Sequence, residues 1–501
     1  MARHANPRVS IAVQPPSSIL HVHGRGTAEE PIAAAVGKLA SSSRIFSSHD
    51  CIGDMSTVKP RAHRTCILRN VCLDTSSGNF TYFRDRSATQ APVLFDRRYG
   101  HIFAFGHVAP KGGREDLLPL NKHVRYKRHV RWSPTIIDGP MPAVATSSSS
   151  SSSTTSSSSS SAPLLSKLHL LSAPFVPTNL GHLAWEEAFP LLLSMVQLGE
   201  YVEPSEAVVL RTHACNESVL GRSESERTAA VADAEAPTRS EARLCTKFVD
   251  GFMAPIGSVR TMASLRREYF ARGSRRVCFR RLIAGGFFEM FNAPSHPGKE
   301  PWLQLYRRQV LRFHRLAPPR GGLPPPPSAH KALLVRKHGR RGIHNFDEVL
   351  TFLQSGCGGL CEGLGRTNVV AAAFETMTIR EQLQLVSTST LAVSPPGGCS
   401  MILPFLPEGA HAILINYMLE PSQDTRKLRG AEGVCSKCSL TMEASLWRHV
   451  RHVRKLQYQV WEPSDFARGR PGRDQAVVIK LPRLAYLVRV ALDAMAAPQE
   501  K

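Results

Sequence analysis

The stretch that decides the fold runs from residue 331 to residue 416. Its regular pieces are KALLVRK (331–337), NFDEVLTFLQ (345–354), NVVAAAF (368–374), TIREQLQLV (378–386), LAVSPPGGCSMILPFLP (391–407) and AHAILIN (410–416). The short apolar runs ending at Arg336, Phe374, Ser394 and Asn416 read as buried strands. NFDEVLTFLQ reads as a helix. Thr378 and Glu381 have capping-box spacing, which satisfies the first free N–H groups of a second helix. Ile379, Leu383 and Val386 then share one face of it. SMILPFLP reads as a short helix ended by its prolines. Strand, helix, strand, loop, helix and strand in this rhythm predict a parallel sheet with covering helices. Such sheets bind phosphate ligands at the carboxyl ends of their strands.

Two loops at those ends carry candidate chemistry. In SPPGGCS, Ser394 to Ser400, a buried strand turns into a helix. Gly397 and Gly398 permit close backbone approach, and the amides from Gly397 through Cys399 to Ser400 are candidate anion donors. A turn that merely needs glycine has the same pattern. In LLVRKHGRRGIHN, Leu333 to Asn345, Arg336 ends a strand and Arg340 and Arg341 follow in a loop. Their guanidinium groups suit a pyrophosphate, and a solvated basic loop is the alternative.

Upstream, GGLPPPPSAH (321–330) reads as a polyproline linker. TCILRNVCLDTSSGNFTYF (65–83) alternates apolar and polar residues around a Ser-Ser-Gly-Asn turn, as a β-hairpin does. HLAWEEAFPLLLSMVQLG (182–199) reads as a buried amphipathic helix with a break near Pro190. The Ser-rich tract 147–161 and the polar segment 221–243 read as insertions without a core of their own. Residues 1–60 show no sustained period and read as a disordered lead-in. The expected division is 61–320 for a first lobe, 321–330 for the linker, 331–460 for a second lobe and 461–501 for a C-terminal segment.

The bulk composition bounds the function. In 501 residues, a hydrophobic fraction of 42% is that of a globular protein rather than a disordered one. The formal net charge of +23 favours polyanionic or phosphorylated partners. Eleven cysteines are spread along the chain, an odd count that leaves at least one unpaired within it and is compatible with a few disulfides. No apolar run approaches the roughly 18 residues of a membrane span, so no membrane anchor is visible. The N-terminus has no apolar core of signal-peptide length. Asn79-Phe80-Thr81 and Asn216-Glu217-Ser218 are glycosylation sequons.

The order of these elements resembles glycosyltransferase family 61, a group of xylosyl-, arabinosyl- and N-acetylglucosaminyltransferases. The residues that carry the resemblance are Arg336, Arg341, Asn345, Glu375, Gln382, Gly397, Pro407 and Gly409. Asn179-Leu180-Gly181-His182 with Glu186 is similar to an upstream element of that family, and CILRNVCLD to its opening segment. The likeness spans roughly residues 65 to 460. Two positions depart from the family pattern: Pro396 stands where a histidine is usual, and Glu186 where an aspartate is usual.

The resemblance implies an α/β fold of GT-B type, with two Rossmann-like lobes and a central cleft. It implies inverting transfer of a sugar from a UDP-sugar to a glycan or glycoprotein acceptor in the Golgi or endoplasmic reticulum lumen. Inverting transfer needs a base for the acceptor hydroxyl, and His182 or Glu186, four apart on one helical face, are the candidates. A structural His–carboxylate pair has the same spacing. Donor binding falls to Arg336, Arg341, Glu375, Gly397, Gly398, Cys399 and Ser400, with the two arginines and the 397–400 backbone suited to the departing diphosphate. No cofactor is indicated beyond the donor co-substrate. The chain has no Asp-x-Asp triplet, which leans against a carboxylate-held Mg²⁺ or Mn²⁺.

Other features point elsewhere. Cys435, Cys438, His449 and His452 have spacings too short for a zinc finger, so a disulfide or surface loop is expected there. WRHVRHVRKLQYQV (447–460) reads as a basic helix passing into a strand. NKHVRYKRHVRW (121–132), the net charge and the Cys/His cluster form the case for a nucleic-acid-binding protein. That case lacks an aromatic RNA-binding motif or a helix-turn-helix, so no nucleic acid is expected. An inactive transferase-like protein is the third reading, resting on Pro396.

Overall fold

A computed structural model describes residues 45–52, 65–85, 87, 103–105, 130–132, 134–145, 161–172, 178–212, 214–215, 238–285, 300–316, 330–417, 446–447, 449–460, 462–469 and 475–497. All of them lie within the compact unit Arg44–Lys501.

The first half is built on a sheet of nine strands: β1 (Ser48–Ile52), β2 (Thr65–Asp74), β3 (Phe80–Arg84), β6 (Thr135–Asp138), β7 (Val144–Ala145), β8 (Ala162–Ser172), β9 (Ala207–Arg211), β10 (Ser258–Thr261) and β11 (Arg276–Gly285). A separate ribbon pairs β4 (Phe103–Phe105) with β5 (Val130–Trp132). The main path runs β10-β9-β8-β11-β2-β3-β6. Its β10-β9-β8-β11 section is parallel, a 3-2-1-4 order with its reversal between β8 and β11. The β2–β3 hairpin joins that section antiparallel through β11, as the alternation in 65–83 predicts. Helices α1 (Phe189–Gln197), α2 (Arg239–Phe248) and α3 (Met262–Ala271) lie between successive strands, and α4 (Glu300–Phe313) follows β11.

The second half is a five-stranded sheet, parallel throughout: β12 (Ala332–Arg336), β13 (Val369–Ala373), β14 (Leu391–Ser394), β15 (His411–Tyr417) and β16 (Arg454–Val460), in the order β13-β12-β14-β15-β16. This is a 2-1-3-4-5 doubly wound sheet, whose reversal falls between β12 and β14. Helices α5 (Phe346–Gln354), α6 (Ile379–Ser387) and α7 (Leu481–Ala496) cover it. The capping box at Thr378 and Glu381 forms in both directions.

Strand alternation sorts the core of this half. Ala332, Leu334, Leu391, Val393, Ile413 and Ile415 pack with α5 and α7 on the outer face. Leu333, Val335, Ala392, Ala412 and Leu414 point the other way, into a core shared with Leu168, Leu170 and Val209 of the first sheet. The successive side chains of a strand face opposite sides. Between the sheets, Trp185 meets Tyr306 at 5.5 Å and Phe405 at 5.7 Å, and Phe252 meets Phe405 at 5.9 Å. Such aromatic pairs contribute about 0.5–1.5 kcal/mol each beyond area burial. The two halves are therefore joined at the centre by close-packed apolar side chains.

Four disulfides form among the described residues: Cys51–Cys66, Cys72–Cys278, Cys215–Cys245 and Cys357–Cys361. Cys435 and Cys438 lie outside the described residues.

Several expectations are corrected. Ser48–Ile52, read as part of the lead-in, is a strand paired with β2, because Cys51 is bonded to Cys66 across the ladder. The polar segment 221–243 ends in ordered helix, since Thr238 and Glu241 form a capping box that starts α2. Its residues 221–237, the Ser tract 147–160, linker residues 321–329 and the basic residues 121–129 lie outside the described residues. SMILPFLP forms the expected short helix, a 3-10 helix over Ser400–Phe405, but Pro404 lies inside it rather than ending it. Of the stretch read as a basic helix from 447, the described residues 449–453 are not helical and lead directly into β16. There the chain is tied by buried contacts instead: His452 Nε2 donates to Pro404 O at 2.9 Å, and Trp447, Val450 and Val453 enter the shared core.

Candidate functional site

The reversal point of the second sheet lies at the carboxyl ends of β12 and β14, where Lys337 meets the Pro-Pro-Gly-Gly loop. Lys337 Nζ donates to Pro396 O at 2.6 Å. Gly397 has φ +110°, a conformation that L side chains avoid, and a Cβ there would lie 2.7 Å from Lys337 Nζ. The backbone angle therefore calls for glycine, while the space beside it is taken only by the flexible end of the Lys337 side chain. Ser400 closes the turn, donating its N–H and Oγ–H to Gly397 O at 3.0 and 2.8 Å. Met401 N donates to Gly398 O at 3.3 Å. The amide of Ser400, expected to face an anion, is thus committed to the loop. Cys399 stands outside the four disulfides and is half-buried, with Sγ 3.3 Å from Pro395 O.

The other wall of this loop comes from the first half. Asn179 Oδ1 accepts from Gly181 N at 2.9 Å and opens the helical segment that follows. A Cβ at Gly398 would stand 3.5 Å from that same Oδ1, and a Cβ at Gly181 only 2.8 Å from Met401 Cγ. Trp185 Nε1 donates to Met401 O at 2.7 Å. The Asn179-Leu180-Gly181-His182 element and the glycine loop, 216 positions apart at Trp185 and Met401, are therefore in direct contact.

His182 to Ala188 form a π-helix that continues into α1, with Pro190 in the first turn of α1. π-Helical turns are uncommon and gather at functional sites. His182 Nδ1 pairs with a Glu186 carboxylate oxygen. Glu186 is buried, while the His182 side chain keeps 23% of its surface. A carboxylate behind an imidazole fixes the ring orientation and directs Nε2 outward. The neighbouring Glu187 is buried too; it accepts from Ser172 Oγ at 2.7 Å and from Arg211 Nε at 3.4 Å. Ser172 and Arg211 end β8 and β9, so these bonds pin the π-helix to the carboxyl edge of the first sheet.

The remaining sequence candidates are placed differently. Arg336 sits 3.9 Å over the Phe346 ring and ion-pairs with Asp347, on the outer, α5 side of the sheet. Arg341 is half-buried with φ +63°, in the loop between β12 and α5. Glu375, just beyond β13, is half-exposed and lies 3.4 Å from His338 Nε2. Gln382 is buried and supports the backbone, donating to Phe374 O and Met377 O. Lys337 and Asn179 are not among the sequence candidates, although both flank the loop. The signal for Lys337 was strand alternation: it lies on the Val335 side, which faces the first half, whereas Arg336 lies on the Leu334 side.

The segment 404–407 is held by backbone contacts. Arg307 is buried, and burial draws its pKa down to about 10. It donates to Leu406 O at 2.6 Å. Burial also lowers His452 to about 4, which keeps the ring neutral against Pro404 O. Beside the loop after β13, a cavity of about 600 Å³ is lined by Lys247, Asp250, Phe313, Met377 and Arg380 among others. Among the described residues no cluster of three or more His, Cys, Asp or Glu is arranged to hold a metal ion, and no helix is long and apolar enough to cross a membrane.

Residues 252–413 match the model of the family described as Glycosyltransferase 61. The match spans β10 to the start of β15 and includes α4, the Lys337 loop, Glu375 and the glycine loop. No curated protein matches the chain.

Proposed function

We propose, from the premise that this chain belongs to glycosyltransferase family 61, that it transfers a sugar from a UDP-sugar to a glycan or protein acceptor with inversion. The observation that carries this reading is the junction of Lys337, the Pro396-Gly397-Gly398 loop and Asn179, with the His182–Glu186 pair on the helical segment that Asn179 opens. A cation and a glycine turn lie at the sheet reversal where phosphates bind, and the segment that carries the candidate base packs beside them through Gly181 and Trp185.

In this reading the donor diphosphate lies against Lys337 and the backbone of Gly397 to Cys399. The acceptor hydroxyl oxygen attacks the anomeric carbon from the face opposite the diphosphate. The bond from that carbon to the diphosphate oxygen breaks, and UDP leaves with the electron pair. The acceptor proton passes to His182 Nε2, and Glu186 stabilises the resulting imidazolium. Positive charge from Lys337 offsets the charge that develops on the leaving diphosphate. Arg336, Arg341 and Glu375 would act from the rim, Arg336 only after leaving Asp347.

The two doubly wound sections support a GT-B arrangement, with residues 61–320 as the acceptor-side lobe and 331–460 as the donor-side lobe. The transferred sugar belongs to the xylose, arabinose or N-acetylglucosamine class. Four disulfides support a Golgi or endoplasmic reticulum lumen setting, since such bonds persist in oxidising compartments. The test is thermal denaturation of the full chain with UDP, followed by hydrolysis across a panel of UDP-sugars. Ligand at about 100 times its Kd should add about 2.7 kcal/mol of stability. No shift with UDP and no hydrolysis of any donor would reject the proposal.

A further inference from the structure

The cavity beside β13 has no role in the chemistry described so far. It is walled by two segments of the first half, Lys247 to Ala254 and Phe313-His314, and by Thr376 to Arg380 of the second. Its volume of about 600 Å³ falls in the range of small-molecule sites. Gly251 is packed so closely that a Cβ there would lie 2.8 Å from Ile379. His314 Nε2 bonds Gly251 O at 3.0 Å, and Arg380 Nε donates to His314 O at 3.2 Å. The walls are thus braced against one another. Phe313, at the end of α4, lines this cavity and keeps 49% of its surface exposed, so its ring face is open to a ligand.

The topology orients a donor along the sheet edge. In doubly wound sheets the phosphates sit at the reversal, here between β12 and β14. The helical segment that carries His182 and Glu186 packs on the loop after β14 through Gly181 and Trp185, so the transferred sugar lies on that side. The nucleoside must then extend the other way, over β13. Glu375 stands just past the end of β13, where an acidic residue commonly takes ribose hydroxyls. The next five residues, Thr376 to Arg380, line the cavity. Lys247, on the opposite wall, lies within electrostatic reach of Glu375 and Glu381, which ties the cavity to the Glu375 position.

We infer that this cavity is the nucleobase subsite of the donor, with Phe313 as its stacking platform and Lys247, Asp250 and Arg380 reading the polar edge of the base. This rests on the donor reading given above. A base offering carbonyl, ring N–H and carbonyl along one edge, as uracil does, matches two cationic donors beside one carboxylate acceptor. Stacking supplies affinity, since base–aromatic contacts are strong and insensitive to base identity.

The experiment titrates the full-length protein with UDP and, separately, with inorganic pyrophosphate, following heat. Phe313→Ala should weaken UDP about ten-fold and leave pyrophosphate unchanged. Phe313→Trp should restore UDP affinity, which a structural defect would not. Lys337→Ala should weaken both ligands. If Phe313→Ala binds UDP as tightly as the unaltered protein while Lys337→Ala weakens both, the cavity assignment is overturned and the diphosphate site stands. If the unaltered protein binds neither ligand, both readings fall.

Discussion

The Lys337 ammonium donates a 2.6 Å hydrogen bond to the Pro396 carbonyl, joining the end of β12 to the loop after β14. This bond spans the reversal point of the second sheet and places a positive charge beside a glycine whose backbone angle disfavours a side chain. Lys337→Ala is expected to weaken UDP binding about 10- to 100-fold, the range of a charge-assisted hydrogen bond. Arg336→Ala, which removes a group engaged with Phe346 and Asp347, is expected to cost clearly less. Isothermal titration of the two variants side by side decides between them; the reverse ranking would move the donor site to the α5 face.

Glu186→Gln keeps the volume of the carboxylate that orients His182 and removes its charge. Turnover is expected to fall by a factor of about 10² to 10⁴, with the KM for the UDP-sugar nearly unchanged. His182→Asn should show the same pattern. A purely structural pair would instead show lowered melting temperature at normal turnover.

Trp185→Phe should cost about 1–3 kcal/mol in urea unfolding, because it leaves Met401 O buried without its donor. Trp185 also carries the aromatic contacts between the halves, so donor affinity should drop with stability. An unchanged unfolding midpoint would show that the indole bond is not coupling the two segments.

Burial holds His169, His411 and His452 at about 4, against an ordinary value of 6.5. Nδ1 of both His411 and His452 has no hydrogen-bond partner among the described residues. Between these two values the unfolded chain binds more protons than the folded one. The stability is therefore present in full above about pH 6.5 and drains as pH falls toward 4. By this linkage each ring contributes on the order of a few kcal/mol across that range. Denaturant titrations from pH 7.5 to 4.5 should show a steadily falling midpoint, and a flat profile would contradict these burial effects.

Cys72 and Cys278 link β2 to β11 across 206 positions of sequence. The Cys72→Ser, Cys278→Ser pair is expected to lose about 2–5 kcal/mol, because an open loop of that length gains much entropy when unfolded. Differential scanning calorimetry under non-reducing conditions measures it. Wild-type stability in the double variant would mean that the bridge is dispensable to the hairpin's attachment.

Much of the second half was legible in the sequence because its signals are local. KALLVRK, NVVAAAF, LAVS and AHAILIN are apolar runs of strand length, and the Thr378–Glu381 box is a local hydrogen-bond exchange. The hairpin at 65–83 was legible through its turn residues. The stretch after Trp447 was not: its basic residues have helical spacing, yet buried contacts of His452, Val450 and Val453 take precedence over propensity. Ser48–Ile52 escaped notice because its order comes from pairing with β2, not from its own pattern.

The candidate site divides in the same way. Glycines 397 and 398 stood out by residue type at a strand-to-helix turn, and His182 and Glu186 through the resemblance to glycosyltransferase family 61. The different placement of Arg336 and Lys337 did not, since a period of two says that neighbours face opposite sides but not which side meets the first half. That was decided by tertiary packing: α5 and α7 cover the Leu334 face, so Arg336 lies with them and Lys337 faces the first half. The sequence alone thus determined the strands, the caps and the glycine turn, whose causes act within a few residues. Only the folded chain brought Asn179 and Trp185 to that turn, because contacts across some two hundred residues depend on how two sheets share one apolar core.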